Sequence, residues 1–204
     1  MLDGWAKARI DPHLESVARR LADAGISANQ VTLAGFVIGL TAAVAIAMGW
    51  FLLGLALFLA NRLADGLDGA IARLNGPTDL GGYLDIVLDF AIYGAIPLAF
   101  ILVDPAANGL AGAILLVSFY VNGASFLAYA SIAARRGMSS TARGTKSIYF
   151  TTGLAEGSET VLFFVAFCLM PHWFAPLALV FAALCFWTAF WRIMAARAAF
   201  GDRA

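Results

Sequence analysis

The sequence predicts an all-α polytopic membrane protein, with six transmembrane helices behind an N-terminal interfacial amphipathic helix. Three observations carry that prediction. Of 204 residues, 62% are hydrophobic and 13% charged, where a soluble domain carries about 25% charged residues. The apolar residues gather into runs long enough for roughly 30 Å of hydrocarbon at about 1.5 Å per residue. All 13 Lys and Arg fall on one side of the turns between those runs.

Met1–Ile26 opens the chain with Leu14, Val17, Ala18, Leu21 and Ala22 at helical spacing, opposite Glu15, Arg19, Arg20 and Asp23. That pattern predicts an amphipathic helix lying in the membrane interface, assigned to residues 1–28. It alternates charge and has no continuous apolar core, so no cleavable signal peptide is expected. Ser27 is placed to cap the next helix, near Asn29. Residues 29–204 are expected to form one six-helix transmembrane domain. The first span is Val31–Gly49; Phe51 opens the second, and Leu80–Val103 forms the third. Ala107–Ala134 is the fourth, Ile148–Met170 the fifth and Phe174–Ala196 the sixth. Pro105 and Pro171 punctuate turns on the far side, and Trp50 and Trp173 sit where interface aromatics belong.

The basic residues decide orientation. Lys7, Arg9, Arg19 and Arg20 precede the first span, and Arg62 and Arg73 flank the end of the second. Arg135, Arg136, Arg143 and Lys146 lie between the fourth and fifth, and Arg192, Arg197 and Arg203 end the chain. The positive-inside rule makes that side cytoplasmic, with both termini on it. The formal net charge is zero and gives no sign of a nucleic-acid partner. Cys168 and Cys185 lie in apolar runs without ligand spacing and are expected to be buried thiols. His13 and His172 are expected at the surface without a chemical role.

Asn61–Asp89 holds the chemistry. Asp65, Asp68, Asp85 and Asp89 follow one another at intervals of three, seventeen and four residues. Counting from Phe51, Asp65 lies roughly 9 Å and Asp68 roughly 5 Å short of the cytoplasmic hydrocarbon boundary. Counting from Leu80, Asp85 lies roughly 8 Å deep and Asp89 roughly 14 Å deep on the returning helix. Offsets of three and four put each pair on one helix face, so the antiparallel hairpin brings four carboxylates together. Four like charges in a low dielectric need protons or divalent cations to neutralise them. Oxygen ligands alone, with no His or Cys nearby, suit Mg²⁺ or Mn²⁺ rather than zinc. Gly66, Gly69, Gly81 and Gly82 remove side chains beside the acids and permit close approach of a helix or a ligand. Arg73 sits at the mouth, placed to meet a phosphate.

From Asp65 to Asp89 the residues read D-x2-D-G-x2-A-R-x7-G-x3-D-x3-D. This resembles the signature of the CDP-alcohol phosphotransferase family, integral membrane enzymes of phospholipid synthesis. The spacer after Arg73 has seven residues, where many members have eight, and Gly81 keeps its offset of four from Asp85. Asn29 and Thr32, in SANQVT, resemble a weaker family motif at the start of the first span. The resemblance implies two divalent metals, Mg²⁺ or Mn²⁺, at the hairpin, with Asp65, Asp68 and Asp85 as ligands. By the same resemblance Asp89 completes the metal site and acts as general base towards an acceptor hydroxyl. Gly69, Ala72, Arg73 and Gly81, with Asn29 and Thr32, would border the nucleotide. The implied reaction transfers a phosphatidyl group from CDP-diacylglycerol to a small acceptor alcohol and releases CMP, with glycerol 3-phosphate the commonest bacterial acceptor. A homodimer in the bacterial inner membrane, with a cytoplasmic active site, is implied too.

The basic segment Arg135–Lys146 faces the same side, and Arg143 and Lys146 are candidates to bind an acceptor phosphate. Glu156 and Glu159 share a helix face in the fifth span and need partners or a wet cavity there. They are candidate acceptor residues, and they keep polyol or amine acceptors open. Ser147 and Tyr149 are further hydrogen-bonding candidates. Within the family, the alternative is transfer from a soluble CDP-alcohol to a lipid acceptor. Outside it, the alternative is a cation transporter using intramembrane carboxylates, against which stand the one-sided cluster and the absence of broken-helix repeats.

Overall fold

A computed structural model of the chain describes residues 14–138 and 157–201, and these are helical apart from short turns. Helix α1 covers residues 14–23. It is followed by α2 (Ala28–Ala47), α3 (Phe51–Asn75), α4 (Asp79–Val103) and α5 (Pro105–Arg135). Then come α6 (Gly157–Leu169), a 3₁₀ turn over Pro171–Trp173, and α7 (Phe174–Phe200).

Local chemistry explains the boundaries. Ser27 and Gln30 form a reciprocal capping box at the start of α2, with Gln30 N–H donating to Ser27 Oγ (3.3 Å) and Ser27 N–H to Gln30 Oε1 (2.9 Å). This satisfies two donors that a helix start otherwise leaves orphaned. Thr78 caps α4 by accepting from Gly81 N–H at 3.0 Å. Pro105 is the first residue of α5, where its missing N–H costs no helical bond. Gly49 takes a φ of +80° between α2 and α3, and Gly76 one of +91° between α3 and α4; only glycine enters that region without strain.

Four helical stretches among the described residues are long and apolar enough to cross a membrane: α2, α4, α5 and Pro171–Phe200. Helix α3 has 25 residues, but Arg62, Asp65, Asp68 and Arg73 break its apolar character. Helix α6 shows 13 residues, because the first part of the expected fifth span lies outside the described residues.

The chain divides into two compact units. The first is Met1–Ala106 with Phe164–Pro171. In it α2 packs on both α3 and α4. The contact is close because α2 presents glycine: a Cβ on Gly39 would lie 2.7 Å from Ile92 Cδ1, and one on Gly35 would lie 2.9 Å from Ala64 Cβ. Small residues of this kind let helix backbones approach in a membrane, where packing rather than water exclusion drives association. Aromatic rings fill the other end: Phe51 stacks on Phe100 (5.7 Å between centroids), and Phe58 meets Phe164 at 5.3 Å. Ala18 of α1 is fully buried with Ala70 and Ile71 of α3, flanked by Leu21, Val31 and Leu67, while Glu15, Arg19, Arg20 and Asp23 are exposed.

The second unit is Ala107–Phe163 with His172–Ala204. Phe181 of α7 stacks on Phe163 (4.3 Å) and meets Phe119 edge-on (5.2 Å). Arg192, counted among the terminal basic residues, instead sits within α7 and donates to Asn122 O, Asn122 Oδ1 and Ser125 Oγ of α5 at 2.8–2.9 Å. Cys168 and Cys185 are free and buried, as expected, and His172 is exposed.

Candidate metal and phosphate site

The acids sit on α3 and α4, which run antiparallel from the turn at Gly76. Their offsets of three and four put each pair on one helix face. Asp65, Asp68 and Asp85 each offer an oxygen, and these oxygens all lie within 4.8 Å of one another. Asp68 is buried and Asp65 half-buried, whereas Asp85 is exposed. The Thr32 hydroxyl of α2 donates to Asp68 Oδ2 at 2.6 Å, a charge-assisted bond that fixes the innermost carboxylate of the three. A pocket lined by Thr32, Asn61, Asp65, Asp68, Asp85 and Asp89 opens among α2, α3 and α4. Three convergent hard oxygens, with a hydroxyl orienting one of them and room alongside, fit a divalent oxygen-loving cation.

Asp89 lines the same pocket but has a different partner. Arg62 Nη2 donates to Asp89 Oδ1 (2.7 Å) and Nη1 to Asp89 Oδ2 (3.3 Å), a two-pronged ion pair. Asn61 Oδ1 accepts from Arg62 Nε (2.9 Å) and Nη2 (2.7 Å), and Tyr93 OH from Nη1 (3.2 Å). Asn61 is itself buried and donates to Gly35 O of α2 at 2.9 Å. The guanidinium lies over the rings of Phe58 and Tyr93, 5.8 and 5.3 Å from their centroids.

Of the residues expected at the nucleotide, Asn29 and Gly81 meet. A Cβ on Gly81 would stand 3.0 Å from Asn29 Oδ1, so glycine there keeps the starts of α2 and α4 together. Gly69 faces Arg73, whose Nη1 would lie 3.6 Å from a Cβ at that position. Arg73 is exposed in the last turn of α3, and Ala72 beside it is half-buried. Gly66 abuts Leu14 of α1, and Gly82 faces open space. Glu159 lies in the first turn of α6, where Ser158 Oγ donates to its Oε2 at 2.9 Å. Arg143, Lys146, Glu156, Ser147 and Tyr149 lie outside the described residues.

A family profile for CDP-alcohol phosphatidyltransferase matches residues 26–194. The chain belongs to the CDP-alcohol phosphatidyltransferase family. The chain is 48% identical over 193 residues to the inner membrane protein YnjF of Escherichia coli, covering 95% of this chain and 94% of that one. It is 29% identical over 187 residues to an archaetidylinositol phosphate synthase of Methanothermobacter thermautotrophicus, covering 89% of this chain and 87% of that one. Its fold is similar to that of Mycobacterium tuberculosis phosphatidylinositol phosphate synthase with CDP-DAG bound, at a TM-score of 0.68 and 21% identity, over 94% of this chain and 98% of that one. The structure of the same synthase in complex with manganese and citrate gives a TM-score of 0.69 at 21% identity, over 94% and 93% of the two chains. This chain is thus an integral membrane CDP-alcohol phosphotransferase, an enzyme of phospholipid synthesis.

Sequence reasoning missed the group around Arg62, which it read only as a marker of orientation. The signal was present. On the helical rise that places Asp89 roughly 14 Å deep, Arg62 is also roughly 14 Å from the cytoplasmic boundary. An arginine at that depth needs a partner, and Asp89 is the carboxylate at its level.

Proposed function

We propose that this phosphotransferase moves a phosphatidyl group from CDP-diacylglycerol to the hydroxyl of a small polyol phosphate and releases CMP. The observation that carries the reading is the convergence of Asp65, Asp68 and Asp85 within 4.8 Å across two helices. It is supported by a fold similar to that of a synthase with CDP-DAG bound. In this reading Asp65, Asp68 and Asp85 hold Mg²⁺ or Mn²⁺, and the second ion of the family pattern would draw on Asp89. Such ions, when bound, neutralise the pyrophosphate and the departing CMP.

The chain's own residues do the rest. Thr32 holds the Asp68 carboxylate in register. Arg73, Gly69, Ala72, Asn29 and Gly81 border the nucleotide. The acceptor oxygen forms a bond to the phosphorus that carries the diacylglycerol, and the bond from that phosphorus to the CMP oxygen breaks. The hydroxyl proton passes to the Asp89 carboxylate, which lines the same pocket and takes it on a lone pair that Arg62 leaves free. CMP leaves with the electrons of the broken bond. A site near one end of the helices lets the donor keep its acyl chains in lipid and its cytidine in water.

For the acceptor, inositol phosphate ranks above glycerol 3-phosphate. A relative matching most of the chain is an archaetidylinositol phosphate synthase, and the fold neighbour makes phosphatidylinositol phosphate. Arg143 and Lys146 remain the candidates for the acceptor phosphate, with Glu156 and Glu159 for its hydroxyls. The reading includes an interfacial helix within residues 1–28 and a six-span catalytic domain over residues 29–204. It also includes cytoplasmic termini and active site, the bacterial inner membrane, and a homodimer.

The test is CMP release from CDP-diacylglycerol by the purified chain with Mg²⁺ or Mn²⁺ and a panel of inositol phosphate, glycerol 3-phosphate, inositol and serine. Release stimulated by inositol phosphate and abolished by Asp89→Asn is expected. Release stimulated by another acceptor replaces the acceptor assignment. No binding of a CDP-linked ligand or a divalent cation would overturn the reading.

A further inference from the structure

We propose that Arg62 is the built-in counter-cation of Asp89 and makes the site's two divalent-ion positions unequal. The first ion binds Asp65, Asp68 and Asp85 while Asp89 remains on Arg62, and a second ion must take Asp89 from Arg62. This rests on the reading of the carboxylates as metal ligands.

The geometry assigns Arg62 a fixed place. A guanidinium has five N–H donors, and all five are engaged: two on Asp89, two on Asn61 and one on Tyr93. Its side chain is 13% exposed and lies against the faces of Phe58 and Tyr93. Its neighbour Asn61 is anchored to the backbone of α2. Such a planar fork loses little freedom when it grips a carboxylate, and it is a poor candidate to swing away unaided. Each Asp89 oxygen thus already accepts from Arg62, so an ion drawing on Asp89 competes with the guanidinium, whereas Asp65, Asp68 and Asp85 each offer an oxygen within 4.8 Å of the others.

Charge leads to the same ordering. Four carboxylates and one guanidinium leave three negative charges in a half-buried site. One divalent ion leaves a single negative charge, and a second turns the balance positive. A second dication would have to settle beside a guanidinium that already stands 3.8 Å from Asp65 and 2.7 Å from Asp89. An ion drawing on Asp89 would share that carboxylate with the guanidinium, and two like charges on one carboxylate in a low dielectric oppose each other. Arg62 thus acts as a positioning residue: it keeps Asp89 oriented and makes the second ion conditional on its displacement.

The test is Mn²⁺ binding to the purified full chain in detergent, followed by calorimetry and by the paramagnetic signal of free Mn²⁺. The wild type is expected to bind one ion tightly and a second at least tenfold more weakly. Arg62→Gln is expected to tighten the second ion at least tenfold, and Asp89→Asn to lose it while leaving the first within twofold. Should Arg62→Gln fail to fold, Arg62→Lys serves in its place: one ammonium cannot grip both oxygens, so the second ion tightens in the same direction by less. Two equivalent ions in the wild type, an unchanged isotherm in the Arg62 variant, or a weakened first ion in Asp89→Asn would each overturn the proposal. A wild type that binds no Mn²⁺, or an Asp65→Asn variant that binds it normally, would instead overturn the reading of the carboxylates as ligands.

Discussion

The two halves of α3 are one continuous helix held in two different ways. From Phe51 to Ala60 its partners are rings: Phe51 against Phe100, Phe58 against Phe164. From Asn61 onward it keeps apolar contacts, Ala70 and Ile71 with Ala18, and adds buried polar ones: Asn61 on Gly35 O, Arg62 on Asp89, and Asp68 under Thr32. The first half can lose a contact and remain the same helix with a void beside it. In the second half a lost contact changes the charge and aim of a site carboxylate, and at the Arg62–Asp89 pair it leaves the partner charge uncompensated. The helix therefore separates stability from chemistry along its own length, and substitutions should follow that division.

The largest effect is expected at the buried carboxylate. Asp68→Asn should reduce CMP release about 10³-fold, the scale of losing a principal electrostatic element of a site, with little change in thermal unfolding. Activity that survives within tenfold would erase the distinction between the halves. Next comes Phe100→Ala, opposite the apolar half. Phe100 is fully buried between Phe51 and Phe167, and its truncation should cost about 3 kcal/mol of stability. Mn²⁺ affinity, measured below the melting range, should be unchanged. A loss of Mn²⁺ binding there would show that the two halves are coupled.

A smaller effect is expected where the halves join. Gly39→Leu places a side chain where Ile92 and Asn61 already lie within 3.0 Å of its first carbon. It should cost about 2 kcal/mol by overpacking and weaken the Asn61 support of Arg62 as well. Stability and kcat/KM should fall together, unlike in either preceding variant. The smallest effect is that of Thr32→Val, which keeps the shape and removes the donor to Asp68. It should weaken Mn²⁺ binding about tenfold, as expected for one hydrogen bond to a charged group, and leave the melting temperature nearly unchanged.

Much of the site was legible because it is local. Intervals of three and four residues fix which acids share a helix face, and the hairpin turn fixes that the faces meet. The Ser27 cap and the buried cysteines were equally local, whereas Pro105, expected in a turn, is the first residue of α5. The Arg62–Asp89 pair was harder to see, because it depends on how α3 and α4 lie against α2. That register is set by close contacts at Gly35 and Gly39, which resemble ordinary apolar positions in the sequence. Arg192 escaped for the same reason: its partners Asn122 and Ser125 are on another helix, 70 and 67 residues away. In both cases a basic residue beyond the first turn of a span was read as a boundary marker when its depth already called for a partner.

The most direct measurement is the location of a manganese ion by anomalous diffraction from crystals of the chain grown with Mn²⁺. A peak within coordinating distance of oxygens from Asp65, Asp68 and Asp85, with Thr32 still on Asp68, is the predicted result. A manganese-loaded crystal with no peak at these three carboxylates, or with the ion held elsewhere, would contradict it.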